Sequence, residues 1–238
     1  MCSSFKLNSE GEMFSAIILS GGKGKRMERE RPKQYLLLCG KPIIMHSIER
    51  MECIKDIGEI IIVCENEYIP AIKKMLGEYN ITTPVKFALA GATRQESVYS
   101  GLKEVSCENV IIHEAARPFV KCEDFRKLID DPAKNATLGY PVSFTVAEGI
   151  EYVTGILNRN VLVNIQLPQK FQTDVLKKAH ELARKEQRMF TEDSGMVFEL
   201  TETNIKIIRG SSENVKITEP IDLICGEIIY AEYIKGRR

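Results

Sequence analysis

The chain has 238 residues, and its 33 Lys plus Arg balance 33 Asp plus Glu, so the formal net charge is zero. That balance removes the overall positive field which draws a protein to nucleic acid or to an anionic membrane, so we expect neither as a partner. The length suits one large α/β domain with additions, and the apolar runs are shorter than the roughly 20 residues that cross a bilayer.

The first 13 residues are polar, and we expect them to form a flexible tail that carries no export signal. Seven cysteines are scattered along the chain without a CxxC pair. Such a pattern is typical of buried, structural thiols in a reducing compartment. We therefore expect a cytoplasmic protein.

Short apolar runs alternate with amphipathic segments from residue 14 to residue 113. The predicted strands cover 14–19, 59–64, 85–89 and 109–113, and the predicted helices cover 42–53, 69–79 and 94–105. This alternation predicts an α/β fold with a mostly parallel sheet and helices on both faces, built as a single domain over 14–238. The ligand site of such a sheet lies at the carboxyl edge of its strands.

The pattern changes over residues 140–166, which we call the arm. Two β-prone segments there flank Thr154-Gly155 without a helical period, which predicts a β-hairpin projecting from the sheet. Beyond the arm we expect a helix over 171–188, a strand over 204–209 and a last helix opened by a hydroxyl cap at Thr218.

A glycine-rich turn follows the first predicted strand. Gly21, Gly22 and Gly24 allow a sharp turn whose bare N–H groups can approach a phosphate. The spacing fits neither the P-loop nor the dinucleotide fingerprint. Seven basic residues face two acidic ones between residues 23 and 41, which indicates either a solvated loop or a polyphosphate site.

The strand over 109–113 leads directly into Glu114 and Arg117. A carboxylate at the carboxyl end of a strand, facing a phosphate cradle, is suited to Mg²⁺, which takes one or two carboxylates plus substrate phosphates. The alternative is a surface ion pair between Glu114 and Arg117, worth little. His113 points to the other face of the strand, so we interpret it as a core histidine. Lys206, Arg209 and Lys216 form a second basic group, which could equally serve surface solubility.

Together these stretches resemble the 2-C-methyl-D-erythritol 4-phosphate cytidylyltransferase family and the related ribitol 5-phosphate cytidylyltransferases. The resemblance implies a Rossmann-like nucleotidyltransferase fold, CTP and a polyol phosphate as substrates, Mg²⁺ as cofactor, and a homodimer whose arms embrace the partner subunit. The matching segments, in the family's order, are Ser20-Gly-Gly-Lys-Gly-Lys-Arg-Met27, Pro32-Lys-Gln-Tyr-Leu36, Arg94-Gln-Glu-Ser-Val98, His113-Glu-Ala-Ala-Arg-Pro-Phe119, Pro168-Gln-Lys-Phe171, Thr191-Glu-Asp193 and Asn214-Val-Lys-Ile-Thr218.

The resemblance also implies roles for individual residues. The triphosphate would be held by Arg26 and Lys33, and its α-phosphate by Lys216. With Arg159 these three form the expected catalytic set. The remaining CTP contacts fall on Ser20, Gly21, Gly22, Gly24 and Lys25, and those around the cytosine on Gly91, Ala92 and Ser97. The polyol phosphate would be held by Glu114, Arg117, Thr145 and Arg159, of which the two on the arm are expected to serve the neighbouring subunit.

Several positions depart from the family's pattern. Ser20 and Gly21 replace alanines, a mild change. The larger departures, on the side of the acceptor, are Glu114 and Phe144 for Asp, Ala147 for Lys and Leu167 for Thr. Methylerythritol phosphate is therefore the first acceptor hypothesis, with ribitol 5-phosphate or another alditol phosphate as the second. A relative that binds CTP without catalysis and a dinucleotide-dependent oxidoreductase are further alternatives.

Overall fold

A computed structural model describes residues 11–22 and 32–235 of the chain. Its strands are β1 Phe14–Leu19, β2 Leu37–Leu38, β3 Lys41–Pro42, β4 Ile57–Cys64, β5 Val85–Leu89, β6 Asn109–Glu114, β7 Ala136–Pro141, β8 Ala147–Glu148, β9 Gly155–Ile156, β10 Val163–Gln172 and β11 Lys206–Arg209. Its α-helices are α1 Ile43–Glu52, α2 Ile69–Glu78, α3 Arg94–Leu102, α4 Cys122–Ile129, α5 Thr173–Lys185, α6 Asp193–Thr201 and α7 Pro220–Ile229.

Seven strands form the central sheet, in the order β11-β7-β10-β6-β1-β4-β5. β1 pairs in parallel with β4 and β6, β4 with β5, and β7 with β11. β10 is antiparallel to both of its neighbours, so six strands share one direction and β10 runs the other way. The expected mostly parallel sheet is confirmed.

Helices cover both faces of the sheet because side chains of each strand alternate between two apolar cores. Ala16 and Ile18 of β1 belong to a core formed with α1, α2 and α4. Ile17 belongs to a second core formed with α3, α5 and α6. The alternation of strands and helices thus produces the layered architecture that the sequence predicts.

The bounds of several predicted elements agree with the structure exactly or within a few residues, while other elements were not predicted. β1 and β5 have the predicted bounds. The elements that were not predicted are β2, β3, α4, β7, β10 and α6. The helix expected over 171–188 begins only at Thr173, because the preceding residues extend β10. The described chain contains no helix that is both long and apolar enough to cross a membrane.

The predicted hairpin exists in the arm, but its turn was placed wrongly. Gly155 lies in β9 and pairs with Glu148 of β8, so the turn covers residues 149–154. It begins at Gly149, whose φ of +123° favours glycine and whose added Cβ would lie 1.9 Å from the carbonyl oxygen of Tyr152. The signal was therefore at Gly149 and not at the Thr154-Gly155 pair.

Two smaller expectations were also wrong. The hydroxyl cap at Thr218 is absent, because α7 has Glu219 at its N-cap, and Asp222 accepts hydrogen bonds from the backbone N–H groups of Thr218 and Glu219 at 2.7 and 2.8 Å. The described cysteines form no disulfide, but not all are buried: the exposed ones are Cys39, Cys53 and Cys225.

Candidate functional site

A cavity of about 680 Å³ lies at the carboxyl edge of the sheet, where the sequence predicts the site. It crosses the ends of four adjacent strands, β5, β4, β1 and β6. Its lining residues are Leu19, Ser20, Gly21, Gly22, Lys33, Gln34, Glu65, Ala90, Gly91, Ala92, Thr93, Arg94, Ser97, Glu114, Ala116 and Lys216. A volume of this size suits a nucleotide-sized ligand.

The glycine turn is held in place by contacts that the sequence did not reveal. A Cβ added at Gly21 would lie 2.2 Å from the Cβ of Ala90, so the two backbones approach each other too closely for an alanine at position 21. The expectation that glycine in place of alanine is a mild change is therefore wrong at this position. The side-chain amide of Gln34 donates to the carbonyl oxygens of Ser20 at 2.5 Å and Gly22 at 3.1 Å. Because Lys33 precedes Gln34, the same short helical turn brings a buried lysine to the cavity wall.

Three residues of the expected CTP site, Gly24, Lys25 and Arg26, lie outside the described residues. Their expected roles stay predictions. Ser20, Gly21, Gly22, Lys33 and Lys216 all line the cavity.

Glu114 lies at the centre of the charged part of the cavity. Its carboxylate is 2.8 Å from Nζ of Lys216, 3.2 Å from Nε of Arg94 and 3.5 Å from Nε of Arg117. Burial raises the pKa of Glu114, but the three cations outweigh burial and lower the pKa to about 2. The group is therefore ionised at neutral pH, and the interpretation of Glu114 and Arg117 as a surface pair is wrong, since both side chains are largely buried.

Arg94 connects Glu114 to a second buried carboxylate. Nη1 of Arg94 is 2.8 Å from Asp193 at the start of α6, and Asp193 also lies 3.4 Å from Nε2 of the buried His180. Burial raises the pKa of Asp193, but Arg94 and His180 bring it below its ordinary value. Sequence reasoning placed Arg94 and Asp193 in matching segments yet gave neither a role, because their contact joins residues far apart in the chain.

The other end of the cavity holds the residues expected around the cytosine. The hydroxyl of Ser97 donates to the carbonyl oxygen of Thr93 at 2.9 Å and accepts from the N–H of Gly91 at 3.1 Å. The N–H of Ala92 donates to Glu96 at 2.8 Å. Position 91 must be a glycine, because an added Cβ would lie 2.4 Å from the Cβ of Glu96.

The residues expected to hold the acceptor are only partly brought together. Glu114 lines the cavity, whereas Arg117 is not part of the lining and donates from Nη1 to the carbonyl oxygen of Asn214 at 3.0 Å. Thr145 and Arg159 lie on the arm, exposed and outside the cavity lining of their own chain, and Arg159 donates to the carbonyl oxygen of Ser143.

The residues that depart from the family's pattern also lie away from the cavity lining, apart from Ser20, Gly21 and Glu114. Leu167 is buried in the apolar core shared by α3, α5 and α6. Phe144 is 80% exposed on the arm, and Ala147 is exposed in β8. The change at Leu167 is thus one of core packing within this chain, and only the arm carries a changed polar surface.

Two further sequence interpretations can be checked. His113 is fully buried, and burial lowers its pKa to about 3, which confirms a neutral core histidine. Of the second basic group, Lys206 pairs with Asp131 at 2.7 Å and Arg209 lies over the ring of Tyr140, so only Lys216 lines the cavity.

The described residues include no group of three or more His, Cys, Asp or Glu side chains placed to hold a metal ion. Mg²⁺ needs fewer protein ligands than that when substrate phosphates supply the others. Glu114, a carboxylate in the cavity wall, fits that mode of binding.

A sheet of this topology, with a glycine turn after its first strand and cations at its carboxyl edge, defines a nucleotide-binding α/β protein. The family model of 2-C-methyl-D-erythritol 4-phosphate cytidylyltransferase matches residues 14–232. The chain belongs to this family.

Individual relatives agree. The chain is 37% identical over 224 residues to the chloroplastic 2-C-methyl-D-erythritol 4-phosphate cytidylyltransferase of Oryza sativa, with 92% of this chain and 74% of the relative covered. It is 36% identical to the enzyme of that name from Halalkalibacterium halodurans, over 94% of this chain and 99% of the relative. The crystal structure of 4-diphosphocytidyl-2C-methyl-D-erythritol synthase from Anaerococcus prevotii superimposes with a TM-score of 0.82 at 28% identity, covering 93% of this chain and 97% of that one.

Proposed function

We propose that this protein transfers CMP from CTP to 2-C-methyl-D-erythritol 4-phosphate and releases pyrophosphate. The observation that carries the proposal is the carboxylate of Glu114, held between Lys216, Arg94 and Arg117 beside a glycine turn. This arrangement belongs to a chain whose family and relatives carry the name of that enzyme.

The reaction joins two anions. An oxygen of the acceptor phosphate attacks the α-phosphorus of CTP, the new P–O bond forms, and the bond between the α-phosphorus and the bridging oxygen breaks to release pyrophosphate. The second pKa of a phosphate monoester is near 6, so the acceptor is already ionised at neutral pH and needs no general base. Catalysis then consists of alignment and charge neutralisation.

The chain's own residues supply that neutralisation. Lys216 and Lys33 both line the cavity. The side chain of Lys216 is partly exposed, and Lys33 lies beside the glycine turn. Arg26 is the expected third cation. A triphosphate that enters between them competes with Glu114 for Lys216, because both are anions and the ammonium group can move on its flexible stem.

Mg²⁺ would be held by Glu114 together with phosphate oxygens of CTP. When bound, the ion neutralises phosphate charge and orients the α-phosphate.

We further propose that the protein acts as a homodimer and that Thr145 and Arg159 of one arm complete the acceptor site of the other subunit. Two observations support this. Both residues are exposed and do not line their own cavity, and the arm carries large exposed apolar side chains such as Tyr152 and Val153, 76% and 71% exposed. Apolar surface of that kind is typical of a protein interface.

A pyrophosphate-release assay with CTP and Mg²⁺ tests the function. The acceptors to compare are 2-C-methyl-D-erythritol 4-phosphate, ribitol 5-phosphate and glycerol phosphate, and we expect the first to give the highest kcat/KM. Higher kcat/KM with ribitol 5-phosphate would reassign the acceptor, in line with Phe144 and Ala147 on the arm. No turnover with any of them, together with CTP binding in a calorimeter, would contradict the transferase and favour a CTP-binding relative.

A further inference from the structure

The carboxylate of Glu65 has no part in the mechanism above. Glu65 follows the last residue of β4 and lines the cavity, half-buried. In the part of the chain that the structure describes, its side chain makes neither an ion pair nor a hydrogen bond. Glu114, the other acidic residue of the lining, is held by three cations. A carboxylate without a counter-ion repels a bound polyanion, so the presence of Glu65 in this cavity needs a physical explanation.

The order of the strands separates Glu65 from Glu114 and from the three cations around Glu114. β4 lies between β1 and β5, and β6 lies on the other side of β1. Adjacent strands are about 4.8 Å apart, so the ends of β4 and β6 are separated by roughly 10 Å. The triphosphate is drawn to Lys216 near β6 and repelled by Glu65. The base of a bound nucleotide therefore lies at the opposite end, over β4 and β5.

Three donors around that end are already used within the protein. The N–H groups of Gly91 and Ala92 donate to Ser97 and Glu96, and the Ser97 hydroxyl donates to Thr93. Glu65 is an acceptor without a donor. A base that fits here must bring a donor of its own. Cytosine does so with its exocyclic 4-amino group, where uracil has a carbonyl oxygen.

We propose that Glu65 accepts a hydrogen bond from the 4-amino group of cytosine and so makes the site selective for CTP over UTP. The inference rests on the proposed function. A carboxylate has no proton for the uracil O4, and the two oxygens repel each other. A site built to bond a substrate N–H group rejects an analogue that lacks it, because the buried partner is left unsatisfied.

Calorimetric titration of the full chain with CTP, UTP and 2′-deoxy-CTP, in buffer containing Mg²⁺, tests the proposal. The variants are Glu65→Gln and Glu65→Ala, and the matched control is Glu67→Gln, which changes an exposed carboxylate two residues on that does not line the cavity. A carboxamide both accepts and donates, so in Glu65→Gln we expect the ratio of Kd for UTP to Kd for CTP to fall about tenfold or more. Glu65→Ala lowers the ratio by weakening CTP, and Glu67→Gln leaves it unchanged.

Each other outcome is decisive. If the wild type binds CTP and both Glu65 variants keep its preference within twofold, the role of Glu65 is overturned while the proposed function stands. If the variants change the preference for CTP over 2′-deoxy-CTP instead, Glu65 holds the ribose and the assignment to the base is wrong. If the wild type binds no CTP, the proposed function fails and this inference fails with it. Unfolding temperatures of all variants, measured in parallel, confirm that each is folded.

Discussion

Lys216 and Lys33 are the described residues whose charge faces the expected triphosphate. Both line the cavity, and the ammonium group of Lys216 lies 2.8 Å from the carboxylate of Glu114. Two separate elements hold them, the short helical turn after residue 32 and the segment before α7.

We expect Lys216→Ala and Lys33→Ala each to lower kcat by about 10²-fold or more, since each removes a group that stabilises charge in the transition state. Steady-state pyrophosphate release with saturating CTP measures the effect. Lys74→Ala, on the exposed side of α2 and 80% exposed, is the control and should keep full activity. A kcat within threefold of the wild-type value would contradict the proposed role of the substituted lysine.

The close approach of Gly21 to Ala90 gives a second prediction. A methyl group at position 21 meets the Cβ of Ala90, so Gly21→Ala should destabilise the fold by about 1–3 kcal/mol and displace the glycine turn. Ala90→Gly in the same chain removes the clash and should restore both stability and CTP affinity. Urea unfolding and calorimetry of the single and double variants test this, and failure of the double variant to recover would show that the contact is not the cause.

At the residue scale, the sequence predicts part of the site and misses the rest for a definable reason. Glu114 stands at a strand end, where pattern alone finds it, whereas Lys33 and Lys216 were expected from the resemblance of their segments to the family. Arg94 was missed because its partners Glu114 and Asp193 are far from it in the chain, and Glu65 because its position in the cavity wall depends on the fold, which periodicity does not encode.

At the scale of elements, Arg94 joins α3, β6 and α6 through its two carboxylate partners. Three elements that are separate in the chain thus meet at one guanidinium. Burial of that network makes it sensitive to removal of a single member.

We expect Arg94→Ala to lower the free energy of unfolding by about 3 kcal/mol, because it leaves Asp193 buried and without its main counter-ion. Arg188→Ala, whose side chain is 41% exposed in pairs with Glu186 and Glu199, serves as control and should cost less than about 1 kcal/mol. Equal losses in chemical denaturation would contradict the buried network.

The carboxylate of Glu52, at the end of α1, should make the stability of the fold depend on pH. Burial raises its pKa, but the hydrogen bonds from Thr82 and Thr83 together outweigh burial and lower the pKa to about 2. A folded pKa below the unfolded value of 4.5 stabilises the protein above about pH 4.5, and this contribution is lost as the pH falls towards 2. The stability difference between wild type and Glu52→Gln should therefore be largest at pH 7 and shrink by pH 3 in urea unfolding. A constant difference would rule out the carboxylate as its source.

Element prediction succeeds for the mainly apolar strands β1 and β5 and fails for β10, which contains several buried polar residues. β1 and β5 have the predicted bounds, whereas β10 contains the buried Gln166, Gln169 and Lys170. The side-chain nitrogen of each donates a hydrogen bond within the fold, that of Lys170 for example to the carbonyl oxygen of Asp131 at 2.8 Å. The sequence shows the polarity but not the partners that make burial possible.

For the whole molecule, the exposed apolar side chains of the arm bear on assembly. Ile150, Tyr152 and Val153 are neighbours in the turn of the arm, and their side chains are exposed to solvent in the single chain. A second subunit would bury them.

We expect light scattering to give twice the chain mass for the wild type and a shift towards the monomer for Val153→Asp, because a charge would have to be desolvated at the interface. Turnover should fall with dissociation if Thr145 and Arg159 act across subunits. Met189→Asp, at another exposed apolar position, should remain dimeric. A monomeric, fully active wild type would exclude both the dimer and the shared site.

The reversed direction of β10 has a consequence for how such proteins diverge. β7 ends and β10 begins at the same edge of the sheet, the edge that carries the cavity. The chain can therefore leave and return there through residues 142–162 without crossing the sheet. Insertions, deletions or new side chains in this excursion leave the register of every central strand unchanged. The arm can in this way change in evolution while the central sheet and the cavity at its edge stay fixed.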